Sequence, residues 1–421
     1  MGVAAAAFWL SSPAWAEGPQ LAAAAPERDR EALCMDPLLM PDLRVTACTL
    51  AIAGATDVGR RAAYHLSRAQ ALHALGNTAR ALGDYRETVA LVERIGRPTS
   101  QEQLHRGIAL HALGESDAAL GAYDEAIRLD SRNALALVDR GILLAAREGQ
   151  LERALADFDA ALAIVPDNVD ALLLRSDLHG RLGDDARALA DVGRALLLAP
   201  GNARLLTARA RVHARQGARD LALADYAAAL AVDERHVDAL VDRAALLSSG
   251  RPTAEDLSAA LADLDAAVVL APRHAIAVYN RGFVHFARGD LGRAKSDYSR
   301  AIDLAPAMTA AYVNRCLVRT LAGTELREAL ADCDEALRLS SESLDALETR
   351  GFVYLKLGEA AVAERDYEAV LRRDPDRPIS LYGRGLARER RGETRAAAVD
   401  KLAARALMGD VGRAFADLER P

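Results

Sequence analysis

Four kinds of side chain in this 421-residue sequence could do chemistry: nine histidines, four cysteines, and arginines and aspartates that return at fixed intervals. A metal centre or a general base would draw on the histidines. His73 and His111 are placed alike in their surrounding sequence, and so are His179 and His213. Two histidines without a third ligand make a weak metal site, so packing or surface roles are expected, with no metal and no cofactor. The cysteines, Cys34, Cys48, Cys316 and Cys333, form no C-x-x-C pair, which gives no support to zinc ribbons or thioredoxin-type chemistry. No G-x-S-x-G elbow, H-E-x-x-H, P-loop or G-x-G-x-x-G word occurs. Catalysis is not expected.

The arginines and aspartates follow a period of about 34 residues, with units starting near Ala62, Ser100, Ala134, Val169, Ala203, Val237, Ala275, Thr309, Leu344 and Pro378. Extra residues fall at turn words such as "REGQ" and "SGRPTAED", as a helical repeat tolerates. Counting slots from each start, slot 7 holds Arg68, Arg106, Arg140, Arg175, Arg209, Arg243, Arg281, Arg315, Arg350 and Arg384. Slot 23 holds Asp84, Asp157, Asp191, Asp225, Asp263, Asp297, Asp332, Asp366 and Asp400, with Ala122 as the exception. Such strict slots are too repetitive for a catalytic site and too regular for solvated surface charge. They predict a ladder of structural ion pairs.

Each unit reads as two helices around a glycine turn. In the unit from Ala275, the first helix covers roughly 277–287, "GD" at 289–290 turns the chain, the second helix runs 291–304, and Pro306 ends it. Slots 7 and 23 lie eight residues before and after the turn. At ~1.5 Å rise per residue both sit ~12 Å from it, at one height on antiparallel helices. An Arg–Asp bond across the hairpin follows, or a bridge to a neighbouring unit.

Small residues at slots 8, 20 and 27 (Gly282, Ala294, Ala301), an aromatic at slot 24 (Tyr298), Gly at slot 15 (Gly183, Gly217, Gly289, Gly358, Gly392) and Pro at slot 32 (Pro166, Pro200, Pro272, Pro306, Pro375) resemble the tetratricopeptide repeat. The resemblance covers 62–408 and looks most like arrays of exported bacterial proteins. It implies an all-α fold, a right-handed α-solenoid of about ten stacked helix–turn–helix units, whose first helices line a concave groove through slots 2, 5, 9 and 12. Those slots carry a mixed-charge stretch, Asp170, Asp177, Arg204 and Arg211. Further on they carry an apolar one: Ile276, Tyr279, Phe283, Phe286, Val313, Leu317, Phe352, Leu355, Ile379, Tyr382 and Leu386. The apolar set is the expected protein-binding groove; packing of slots 5 and 9 against adjacent helices is the alternative. Some members clamp a chaperone C-terminal carboxylate with Lys at slot 5 and Asn at slot 9. No unit here has either, so that partner is not expected.

The ends read differently. Residues 1–16, "MGVAAAAFWLSSPAWA", have the short apolar run and small-x-small word of a secretory signal peptide cleaved after Ala16, although no Lys or Arg precedes the run. Residues 17–61 read as an N-terminal segment with a degenerate capping unit, in which a Cys34–Cys48 disulfide would staple the open end if the chain is exported. Cys316 and Cys333, at slots 8 and 24 of one unit, read as buried thiols. Residues 409–421 read as a C-terminal cap.

Net charge is −7, without the basic excess of a generic nucleic-acid surface. No run in the mature chain approaches the ~18 apolar residues needed to cross a membrane. The expected function is a non-catalytic scaffold in a bacterial periplasm that binds protein or peptide through its groove. An accessory subunit positioning an envelope enzyme or polysaccharide-export machinery is the alternative. A ligand- or metal-binding protein using the histidine-bearing units is a third, and a cytoplasmic location the other address.

Overall fold

The computed structural model describes residues 27–416 and 418, and the signal-like stretch 1–16 lies outside them. Among the described residues are twenty-two α-helices, one short 3-10 helix and no strand. The chain divides between Pro200 and Gly201 into two compact units. The first holds helix pairs from Glu27–Met35 with Pro41–Gly54 to Val169–Arg181 with Asp185–Leu198. The second holds pairs from Ala203–Arg215 with Arg219–Val232 to Pro378–Arg390 with Thr394–Leu407, then the 3-10 helix Val411–Phe415. Within each unit, nearly every helix packs most heavily on its hairpin partner, and each pair stacks on the next.

Local chemistry sets the helix ends. Asn133, Asn168 and Asn202 each cap a first helix by accepting backbone N–H groups of its opening turn. At the hairpin turn Gly289 has φ +80, a left-handed conformation that suits glycine, and Asp290 then caps the second helix through the Arg293 amide. The four-residue insertion near Gly250 is not confined to the turn. It lengthens the second helix, Ala254–Leu270, to 17 residues against 14 for Leu291–Leu304. A capping box of Thr253 with Asp256 starts that helix early.

The core is built from a few repeated slots. At slot 20, Ala119, Ala188, Ala222, Ala294 and Ala363 are all fully buried, which lets the helices approach closely. Slots 8 and 24 face each other across the hairpin. A Cβ added at Gly107 would lie 2.4 Å from the Tyr123 ring, and one at Gly282 would lie 2.9 Å from the Tyr298 ring. This facing arrangement overturns the expectation of free thiols at Cys316 and Cys333. Where both slots carry cysteine, the sulfurs meet, and the two are joined as a disulfide. Cys34 and Cys48 are joined in the same way between the first two helices. All four cysteines are fully buried.

Candidate protein-binding surface

The ladder residues come together in pairs. In each of nine hairpins the slot-7 guanidinium grips the slot-23 carboxylate through two hydrogen bonds. Arg281 donates Nε to Asp297 Oδ2 at 2.8 Å and Nη2 to Oδ1 at 2.7 Å. Arg68–Asp84, Arg140–Asp157, Arg175–Asp191, Arg209–Asp225, Arg243–Asp263, Arg315–Asp332, Arg350–Asp366 and Arg384–Asp400 repeat this fork. Arg106 faces Ala122 and, among the described residues, reaches only Glu93, at 3.1 Å, while its buried Nε has no partner there.

The two alternatives for the ladder, within a hairpin or between neighbours, prove compatible. The remaining nitrogen, Nη1, reaches slot 25 of the preceding pair: Arg140 to Asp124, Arg175 to Asp159, Arg281 to Asp265 and Arg350 to Asp334, all at 2.7–2.9 Å. Arg315 finds Ser299 there instead, at 3.1 Å. A second basic side chain joins from slot 11. Arg319 and Arg388 bind Asp332 and Asp400 at 2.6 and 2.9 Å, and His179, His213 and His285 approach their aspartates at 3.8–4.0 Å. His65, on another slot, hydrogen-bonds Asp84 at 2.9 Å. Sequence reasoning saw His179 and His213 at one slot but missed their approach to the ladder, and it missed slot 25, although the recurring carboxylates Asp124, Asp159, Asp265 and Asp334 were there to be read.

A cleft of about 330 Å³ beside one rung is lined by Arg281, His285, Asp297, Ser296 and Asp265 among others. Burial lowers the His285 pKa, and both Asp297 oxygens are already taken by Arg281. The carboxylate is thus committed to structure rather than free to orient a base. His73 and His111 are exposed, and no group of three or more metal-ligating side chains occurs among the described residues.

The expected groove divides into a covered and an open part. Val313, Phe352, Leu355, Tyr382 and Leu386 are buried, which corrects their assignment to an accessible surface. Val313 packs in one cluster with Ala336 and Ala346 of the following helices. Phe415 from the 3-10 segment fits between the Phe352 and Tyr382 rings, at 5.2 Å edge-on and 5.6 Å stacked. Leu386 and Leu355 belong to that same cluster. The open part lies on the helices Ala275–Ala287 and Thr309–Ala322. Ile276, Phe283 and Leu321 are 54%, 39% and 37% exposed, with Tyr279, Phe286 and Leu317 half-buried beside them. Asn314 fixes the Tyr279 ring by donating Nδ2 to its hydroxyl at 2.9 Å. In the mixed-charge set, Asp170 and Asp177 are exposed, while Arg211 is engaged with Asp242 at 2.6 Å.

Comparison with known proteins agrees with this architecture. No curated protein sequence matches the chain. Among solved structures, the human IFIT1 dimer with m7Gppp-AAAA is similar at 15% identity and TM-score 0.54, over 93% of this chain and 94% of that one. The Cut9–Hcn1 hetero-tetramer of the APC/C is similar at 14% identity and TM-score 0.52, over 96% and 98%. A tetratricopeptide repeat protein from Parabacteroides merdae gives 22% identity and TM-score 0.47, over 60% of this chain and 98% of that one. At these identities the likeness to the IFIT1 and Cut9–Hcn1 structures is one of fold. The family model described as tetratricopeptide repeat matches residues 104–169, 143–204, 253–309 and 349–411, which together span just over half of the sequence. With paired helices, small-residue slots and glycine turns in register with those matches, the chain belongs to the tetratricopeptide repeat family.

Proposed function

We propose that this protein is a non-catalytic scaffold that captures a polypeptide on the open aromatic strip of its second unit, in an oxidising envelope compartment such as the periplasm. One observation carries the binding reading. Ile276, Phe283 and Leu321 stand in water on two successive first helices tied by the Asn314–Tyr279 hydrogen bond, while Phe352 and Leu386, at the slot of Phe283 further along, are covered. Rigidly held aromatic and aliphatic side chains left exposed together are the usual anchors of a protein interface. The two fully buried disulfides support the compartment, since such bonds persist outside the reducing cytosol, and the apolar N-terminal run with its Ala14-Trp15-Ala16 word points the same way.

The test is affinity capture from an envelope extract with the parent protein and an Ile276→Ser/Phe283→Ser variant. A defined partner should be held by the parent and lost by the variant, with the far-UV helical signal unchanged. Capture that ignores the double substitution refutes the strip as the binding surface. Recovery of one envelope enzyme would assign the accessory role. N-terminal sequencing of the mature protein checks export, and an intact Met1 refutes it.

A further inference from the structure

The first unit presents a carboxylate that no cation answers among the described residues. Asp139 occupies slot 6 of the helix Ala134–Ala145 and is partly buried. It has no hydrogen-bond or ion-pair partner among the described residues. Burial pushes its carboxyl up to about 6, and no neighbouring cation offsets this. Leu135, one turn earlier on the same helix, is 57% exposed, so this stretch of the helix is open to solvent. A carboxylate only partly hydrated and left unpaired is improved when a cation reaches it.

The chain itself shows what satisfies this slot. Asp242 occupies slot 6 of the helix Val237–Leu247. Arg211, at slot 9 of the preceding first helix Ala203–Arg215, donates Nε to Asp242 Oδ2 at 2.6 Å. For Asp139, slot 9 of the preceding first helix Ser100–Ala112 is Ile108. The receptor is present in both places, and the donor in only one.

We propose that Asp139 is the receptor for an arginine side chain of a bound polypeptide, whose guanidinium takes the place that Arg211 takes beside Asp242. Leu135 and the half-buried Ile142 offer apolar surface to the arginine stem. This rests on the reading of the protein as a polypeptide-binding scaffold but uses a surface separate from the aromatic strip, so the two can fail independently.

The experiment titrates the full chain by calorimetry with the blocked peptide acetyl-Leu-Ala-Arg-Ala-Leu-amide and with its citrulline counterpart, which has the same shape without the charge. The parent should bind the arginine peptide roughly tenfold tighter or more, and Asp139→Asn should bind the two alike. Ile108→Arg, which supplies the donor in cis, should also lose the preference and raise the melting temperature. That rise should vanish in the Asp139→Asn background. Phe283→Ser should leave the preference intact, which separates this site from the strip. Equal or absent binding of the two peptides by the parent, or a preference that survives Asp139→Asn, overturns the proposal.

Discussion

Arg281 and Asp297 meet across a helix hairpin through two parallel hydrogen bonds, with the aspartate side chain 7% and the arginine side chain 20% exposed. Removing the carboxylate leaves a largely buried guanidinium with only Asp265 as partner. Asp297→Ala should therefore cost about 3 kcal/mol, whereas Asp376→Ala, at an exposed turn position, should cost less than about 0.5 kcal/mol. Urea unfolding followed by circular dichroism compares the two. Equal losses would sink the ladder as a stabilising device.

The missing rung should be repairable. Ala122 is buried opposite Arg106, and the buried Arg106 Nε has no partner. Nine other hairpins house an aspartate at this slot. Ala122→Asp should then stabilise the protein by about 1 kcal/mol, read as a raised melting temperature. A fall would mean that this hairpin has closed over the space.

Two glycines of one hairpin should respond with opposite signs. A Cβ at Gly107 collides with the Tyr123 ring, while one at Gly121, inside the helix Ser116–Leu129, meets nothing within 4 Å. Gly121→Ala should gain about 0.5–1 kcal/mol from helix propensity, and Gly107→Ala should lose more than that by overpacking. Thermal melts of the two variants check the contrast.

The pH dependence of two aspartates should also be opposite. The Asp139 pKa rises from 3.8 to about 6 on folding, so its favourable contribution is full below pH 4 and is lost as pH rises through 6. Asp139→Asn should gain about 2 kcal/mol on the parent between pH 4 and pH 7. Burial would also raise Asp84, yet Arg68 and His65 hold it at about 2. Its contribution is present above pH 4 and lost as pH falls toward 2. The deficit of Asp84→Asn should be largest at neutral pH and close in acid, as denaturant midpoints across pH will show.

Alkylation without reduction, followed by mass spectrometry, should find all four cysteines blocked in the mature protein. Replacing Cys316 and Cys333 by serine together should lower stability by about 3 kcal/mol, the chain-entropy value for a crosslink of this span. A freely alkylated Cys316 would contradict the oxidised form.

The repeat, the hairpins and the Arg–Asp slots were legible in the sequence because each is written many times at one spacing. The Nη1 contact was harder to read, since slot 25 varies: Asp265 precedes Arg281, Ser299 precedes Arg315 and Ala227 precedes Arg243. Access at the groove was not legible at all for Phe352 and Tyr382. Whether their rings meet water depends on where Phe415, more than thirty residues on, comes to rest. Asp139 escaped notice because its meaning lies in an absent partner one unit away.

The slot-25 bond also sets how the array comes apart. Where Nη1 grips the preceding pair, opening one hairpin drags on its neighbour, as in a chain of coupled spins. Arg243 makes no such grip: Ala227 fills the slot, and among the described residues its guanidinium holds only Asp263. Arg384 lacks the bond too, but its helix packs closely on the preceding pair, whereas Arg219–Val232 and Val237–Leu247 touch least of the neighbouring pairs in the second unit, so the joint between the pairs starting at Ala203 and Val237 is where cooperativity is weakest. Amide hydrogen exchange should show a step in protection there, marking the boundary between two separately opening foldons.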